Sequence, residues 1–167
     1  MSRSNGTSAV AEGEMAGKFL TFFLAAEEYG IEILKVREII GMMEITPVPR
    51  TPAYIRGVLN LRGKVIPVVD LRLKFGMDAI EQTEETCIIV VETGGGERGI
   101  IVDKVSEVQT IAAQDIEPTP SFGEEVETDY ILGIGKTAGR VRLLLDIDKA
   151  LAEKGVVDIH AALAQTN

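Results

Sequence analysis

The 167-residue chain repeats itself, and a repeat restricts the possible folds more tightly than composition does. Gly30-Ile-Glu-Ile-Leu-Lys-Val-Arg-Glu-Ile39 returns 69 residues later as Gly99-Ile-Ile-Val-Asp-Lys-Val-Ser-Glu-Val108. Pro47-Val-Pro49 returns as Pro118-Thr-Pro120 at an offset of 71. Ile55-Arg-Gly-Val-Leu-Asn-Leu-Arg-Gly-Lys-Val-Ile-Pro-Val-Val-Asp-Leu71 returns at an offset of 76, keeping Ile55, Gly57, Gly63, Val65 and Asp70 as Ile131, Gly133, Gly139, Val141 and Asp146. Three blocks in one order, with glycines and charges among the matched positions, describe a duplication. The drift in offset places the extra residues in an acidic loop around 121–130, where insertion costs little.

Each copy predicts short strands. Residues 19–24 and 87–92 are apolar runs of strand length, followed by 29–33 and 98–102. Residues 58–61 and 65–69 then form a hairpin about Arg62-Gly63, as 134 and 141–145 do about Ala138-Gly139, each with the glycine supplying the positive φ of a type II turn. Pro67 marks an edge or a bulge, and Asp70 and Asp146 cap short helices. With no Trp and 5% aromatic residues, the core is built from Ile, Val and Leu. About five strands in about 65 residues, twice over, predict a mostly β protein of two small barrels.

The net charge of -9 excludes non-specific nucleic-acid binding, which needs clustered cations facing phosphates. The charge is segregated: residues 30–76 hold eight basic and four acidic side chains, whereas residues 77–135 hold two and fourteen. Opposite fields on two parts of the chain would suit two partners. No signal-peptide pattern and no apolar run of spanning length is present, which predicts a cytoplasmic protein that reaches a membrane through a partner.

Catalytic and metal-binding patterns are missing. His160 is the single histidine, in an Ala- and Leu-rich helical pattern, and Cys87 the single cysteine, opening a core strand. Gly94-Gly-Gly96 has no Lys-Ser/Thr after it and reads as a flexible hairpin tip instead of a phosphate loop. The run Gly123-Glu-Glu-Val-Glu-Thr-Asp129 lacks the spacing of a calcium loop. No enzyme, cofactor or metal is expected.

The repeat supplies an internal control, because a residue that only one copy carries is not demanded by the barrel. Arg56, Asn60 and Arg62 correspond to Leu132, Lys136 and Ala138. Arg62 would stand at a hairpin tip beside Gly63, which clears space for a partner, and its planar guanidinium can grip carboxylates or carbonyls by two bonds at once.

The seventeen residues from Ile55 to Leu71, and Tyr29-Gly-Ile-Glu-Ile-Leu-Lys-Val-Arg-Glu-Ile39, resemble the characteristic segments of the CheW family of chemotaxis coupling proteins, and the similarity runs from about Lys18 to Leu151. The resemblance implies two intertwined five-stranded barrels of the Src-homology-3 type, short connecting helices and a C-terminal helix. It implies an adaptor that binds the histidine kinase CheA, through its regulatory domain, and the cytoplasmic tip of chemoreceptors, in arrays under the membrane. Positions matching Val36, Glu38, Ile39, Gly57 and Arg62 are those it associates with binding, in an apolar groove between the barrels. Glu38 recurs as Glu107, which favours a structural role; a Glu38 that orients Arg62 reconciles the two readings. The organisation expected is a tail over 1–17, a CheW-like domain over 18–155 and a helical tail over 156–167. The domain comprises subdomains near 18–82 and 83–147, with terminal segments open to exchange. A small-ligand sensor, and an adaptor of the same family in a non-chemotactic kinase pathway, are the competing functions.

Overall fold

The computed structural model describes residues 17–120 and 128–152; His160, the expected helical tail and most of the acidic loop lie outside them. In chain order the elements are β1 (Gly17–Leu24), β2 (Glu27–Glu32), a 3-10 turn (Ile33–Lys35), β3 (Val36–Gly41), β4 (Ile55–Leu61), β5 (Lys64–Asp70), helix α1 (Leu71–Lys74), β6 (Cys87–Thr93), β7 (Gly96–Val102), β8 (Lys104–Ile111), a 3-10 turn (Ala113–Asp115), β9 (Ile116–Glu117), β10 (Ile131–Thr137), β11 (Arg140–Leu145) and helix α2 (Ile147–Ala150). One sheet runs β8-β1-β2-β11-β10-β9, the other β3-β6-β7-β5-β4. The fold is the mostly β, paired and intertwined barrel arrangement that the sequence predicts.

The intertwining follows the repeat. The hairpin β1–β2 of the first copy joins β8 to β11 of the second, and the hairpin β6–β7 of the second joins β3 to β5 of the first. One junction of each hairpin is parallel, β2 with β11 and β7 with β5, and the other antiparallel, β1 with β8 and β6 with β3. Irregularities recur too: a bulge at Arg56 between Ile55 and Gly57 matches one between Ile131 and Gly133. A single bridge from Thr46 to Val58 stands where β9 pairs with β10.

Alternation along the central strands builds three apolar clusters. Leu20, Phe22, Leu24, Tyr29, Ile31, Val69, Ile89, Val91, Ile100, Val102 and Leu145 meet in the seam between the sheets, closed at one end by Leu71, Ile147, Ala150 and Leu151 from the helices. Ile88, Val90, Ile66, Val68, Leu59, Leu61 and Ile101 fill the five-stranded barrel, and Phe19, Ile111, Ile116 and Leu144 the six-stranded one. Strand β6 faces the seam on one side and a barrel interior on the other, which explains its unbroken run Ile88-Ile-Val-Val91. Asp70 and Asp146 cap the helices as expected, accepting from the amides of Leu73 and Lys149.

Two readings are corrected. Arg62 and Gly63 both have positive φ, 54° and 88°, as do Ala138 and Gly139 at 53° and 74°, so the hairpins close with type I′ turns, not type II. The I′ turn matches the right-handed twist of the strands it joins, and that match outweighs the strain of a non-glycine residue at its first position. Pro67 sits in an interior strand of its sheet; it is tolerated because the parallel partner β7 begins to pair only at Val68.

Two carboxylates lock the copies together. Asp103 accepts the Arg72 guanidinium at 2.8 and 2.7 Å and the Ala25 amide at the β1–β2 turn at 2.7 Å. Asp148 accepts Lys35 at 2.9 Å and the Gly94 amide at the β6–β7 turn at 2.7 Å. The Gly94 turn is therefore pinned, where the sequence read it as flexible. Burial opposes the charge on both acids, but the hydrogen bonds from Arg72 and Lys35 prevail and hold both carboxyls below their ordinary value.

In the folded state these carboxyls titrate below the unfolded value of 3.8, so their stabilisation is complete above it and is lost as the pH falls through the folded value. Asp103→Asn should lower the unfolding free energy by about 2 kcal/mol near neutrality, and flatten its fall between about pH 5 and 2. Urea titrations across that range test this, and equal slopes for variant and parent would contradict it. A Cβ on Gly57, at φ 137°, would lie 2.0 Å from the Thr46 carbonyl oxygen, whereas one on Gly63 meets open space. Gly57→Ala should therefore cost about 3 kcal/mol and Gly63→Ala about 1 kcal/mol. Similar urea midpoints for the two would overturn that ranking.

Candidate functional site

Strands β3 and β4 are the outer strands of the five-stranded sheet, and most of the residues expected to bind partners sit where these two edges meet. Glu38 lies in β3 opposite Val90, after a bulge that follows Val36. Arg62 lies just beyond β4. Its Nη2 donates to Glu38 Oε1 at 2.6 Å, so the ion pair closes the barrel across its open side. Glu38 thus has a structural contact and orients Arg62, as the repeat and the family resemblance together suggested.

The arginine remains outward. Its side chain is 69% exposed, while Glu38 is 31% exposed. Ile39 of β3 and Val65, which follows the hairpin turn in β5, are exposed apolar residues. Arg37, in the bulge, binds Glu92 at 3.0 Å, and Lys64 binds Glu97 at 3.2 Å. The hairpin is rigid at its base, because Asn60 Oδ1 accepts the Gly63 amide at 2.7 Å. The other copy has Ala138 at the position of Arg62, and there Glu107 bonds to Gln109 instead.

The predicted residues divide into two groups. Glu38, Ile39, Asn60, Arg62 and Gly63 gather at the hairpin tip, and Val36 begins the same edge strand. Arg56 and Gly57 lie at the other end of β4. Arg56 donates to the buried Asp70 at 3.2 Å, and the backbone at Gly57 packs on Thr46. The exposed Val65, Val108 and Val141 escaped sequence reasoning. The signal was present: Val65 and Val141 are repeat equivalents, as are Ile39 and Val108, and residues exposed in both copies need no core partner.

The seam between the barrels is closed. Leu20, Phe22, Ile31, Ile89 and Val91 pack it, and each is 3% exposed or less. The core runs through the seam because both faces of the central hairpins are apolar. The charge segregation of the sequence is also partly cancelled by folding. Arg37 with Glu92, Lys64 with Glu97 and Arg72 with Asp103 pair the basic segment with the acidic one.

The described cavities have volumes of about 290, 230 and 260 Å³. They fall at or below the lower bound of small-molecule sites, roughly 300 Å³, and the second is lined by charges already paired with each other, Arg56 with Asp70 and Arg72 with Asp103. Among the described residues no cluster of His, Cys, Asp and Glu could hold a metal ion, and no helix is long and apolar enough to cross a membrane. Cys87 is half-buried in its strand, and burial pushes its thiol up from the ordinary value, which disfavours the nucleophilic thiolate.

Residues 18–155 match the model of the CheW-like domain. The chain is 44% identical over 149 residues to the chemotaxis protein CheW of Klebsiella aerogenes, covering 87% of this chain and 90% of that one. It is 37% identical over 131 residues to the chemotaxis protein CheW of Rhizobium meliloti, covering 78% and 84%. The crystal structure of the scaffolding protein TtCheW from Thermoanaerobacter tengcongensis superposes with a TM-score of 0.77 at 36% identity, covering 86% of this chain and 98% of that one. With the duplicated barrels, the closing ion pair and these likenesses in agreement, the chain belongs to the CheW family of scaffold proteins.

Proposed function

We propose that this chain couples chemoreceptors to the histidine kinase CheA by binding the cytoplasmic tip of the former and the regulatory domain of the latter, in arrays beneath the membrane. As a member of a scaffold family it acts by binding and not by catalysis. The observation that carries the reading is the Glu38–Arg62 pair. It fixes an exposed guanidinium at the end of a barrel whose surface also carries two exposed apolar side chains, Ile39 and Val65, at a place where the second barrel has only Ala138.

A fixed guanidinium beside apolar surface suits a partner helix that offers a carboxylate or free carbonyls next to apolar positions. Because the seam is packed, such a helix lies on the rim where β3 and β4 meet. The kinase's barrel takes a free sheet edge, for which β8, with Val108 exposed, is available. Coupling then requires that the receptor bind the two kinase states with different free energies.

Arg62→Ala should weaken association with the receptor fragment or the kinase domain by about tenfold, with the melting temperature nearly unchanged, since its only described partner is the half-exposed Glu38. Glu38→Gln should fall between parent and Arg62→Ala, because the arginine stays but is no longer held. Fluorescence anisotropy with labelled partners and a thermal melt measure both. A folded Arg62→Ala protein that binds both partners as tightly as the parent would remove this surface from the proposal.

A further inference from the structure

The chain crosses between its two sheets at two equivalent places, and the structure builds them differently. The crossing from β7 to β8 is made by Asp103, held by Arg72 through two bonds and by the Ala25 amide. The crossing from β2 to β3 is the turn Ile33–Lys35, where Leu34 occupies the position of Asp103. Leu34 is 91% exposed, the most of any large apolar residue described. Lys35 ties this turn to Asp148, and both of those side chains are more than a third exposed.

The hairpin β1–β2 depends on that turn. Its pairing partners, β8 and β11, both come from the second copy, and the turn is its covalent link to the rest of the described chain. Hairpin β6–β7, in contrast, is attached on both sides, through residues 76–87 and through Asp103. Among the described residues, removing β1–β2 from its slot therefore requires one turn to open, whereas moving β6–β7 requires two connections to move.

We propose that the β1–β2 hairpin is exchangeable between two copies of this chain, giving a swapped dimer in which each hairpin fills the slot between β8 and β11 of its neighbour. The exchanged dimer reproduces every buried contact of the monomer, including Phe19, Phe22 and Ile31 in the cores and Glu28 against Arg142, so the balance rests on the hinge and on concentration. Opening Ile33–Lys35 brings two hinges side by side, and there the Leu34 side chains, which face water in the monomer, bury each other. The dimer also carries two Arg62 tips on one particle.

The test uses the full chain with Lys18→Cys, Thr110→Cys and Cys87→Ala. Lys18 and Thr110 are paired across β1 and β8 and are both exposed. The protein is refolded over a range of concentrations, separated by size, and treated with a short bifunctional thiol reagent. Covalent dimers on a denaturing gel from the dimer fraction are expected, because Lys18→Cys of one copy then faces Thr110→Cys of the other. A dimer fraction whose crosslinks stay within single chains, or no dimer at any attainable concentration, overturns the proposal. Leu34→Asp, which copies the other crossing, should weaken the dimer by about tenfold without lowering the monomer's melting temperature. An unchanged dimer constant in Leu34→Asp, and in Leu34→Ser as a second variant, would remove the hinge from the argument.

Discussion

Strand β2 lies parallel to β11 with Gly30 opposite Leu144, and β7 lies parallel to β5 with Gly99 opposite Val68. A Cβ on Gly30 would stand 2.9 Å from a Leu144 methyl, and one on Gly99 2.8 Å from an Ile88 methyl. Parallel strands cannot be joined by a tight turn. Here each partner comes from the other copy, so neither copy completes a sheet alone. The seam core is the reward for this exchange, since both central hairpins bury apolar residues on both faces.

Once the copies are interlocked, the ends of the hairpins must be fixed, and the two clamps do this with opposite polarity. In one, the acid is the crossing residue Asp103 and the cation Arg72 comes from helix α1. In the other, the acid Asp148 comes from helix α2 and the cation Lys35 from the crossing turn. Either arrangement supplies a carboxylate to the hairpin amide at Ala25 or Gly94. The partly buried, bidentate Arg72 clamp is the stronger, because partial desolvation sharpens the attraction and the fork satisfies both carboxylate oxygens. The half-exposed Lys35 clamp is weakened by solvent.

Much of this was legible in the chain itself. The matched glycines, Asp70 and Asp146 disclosed the duplication and the helix caps, because backbone requirements recur wherever the backbone recurs. Arg62 stood out because its equivalent is Ala138. The turn type was misread because a glycine at the second position is consistent with both II and I′, and strand twist, a property of the whole hairpin, decides between them. The closed seam was hidden for a related reason: alternation shows that both faces of β6 are apolar but not what covers each. The cancellation of the charged segments could not be read either, since it depends on which copy's strands become neighbours.

Divergence between the copies runs deeper than the surface. The six-stranded barrel holds Glu28, buried beside Arg142 at 3.2 Å, with Arg140 reaching the same oxygen at 2.7 Å. The equivalent positions in the other barrel are Glu97, Ile66 and Lys64, and there the outer pair survives as Lys64 with Glu97 at 3.2 Å while Ile66 joins the apolar filling. Glu28 Oε2 has no hydrogen bond among the described groups, so this pair adds little net stability. Its effect is on specificity of assembly. Were β2 to pair with β5 of its own copy, Glu28 would face Ile66 and lose its buried cation, a loss larger than anything the surface charges return. A duplicated chain offers two similar slots to each hairpin, and a buried charge carried by one copy alone is the physical means of telling them apart.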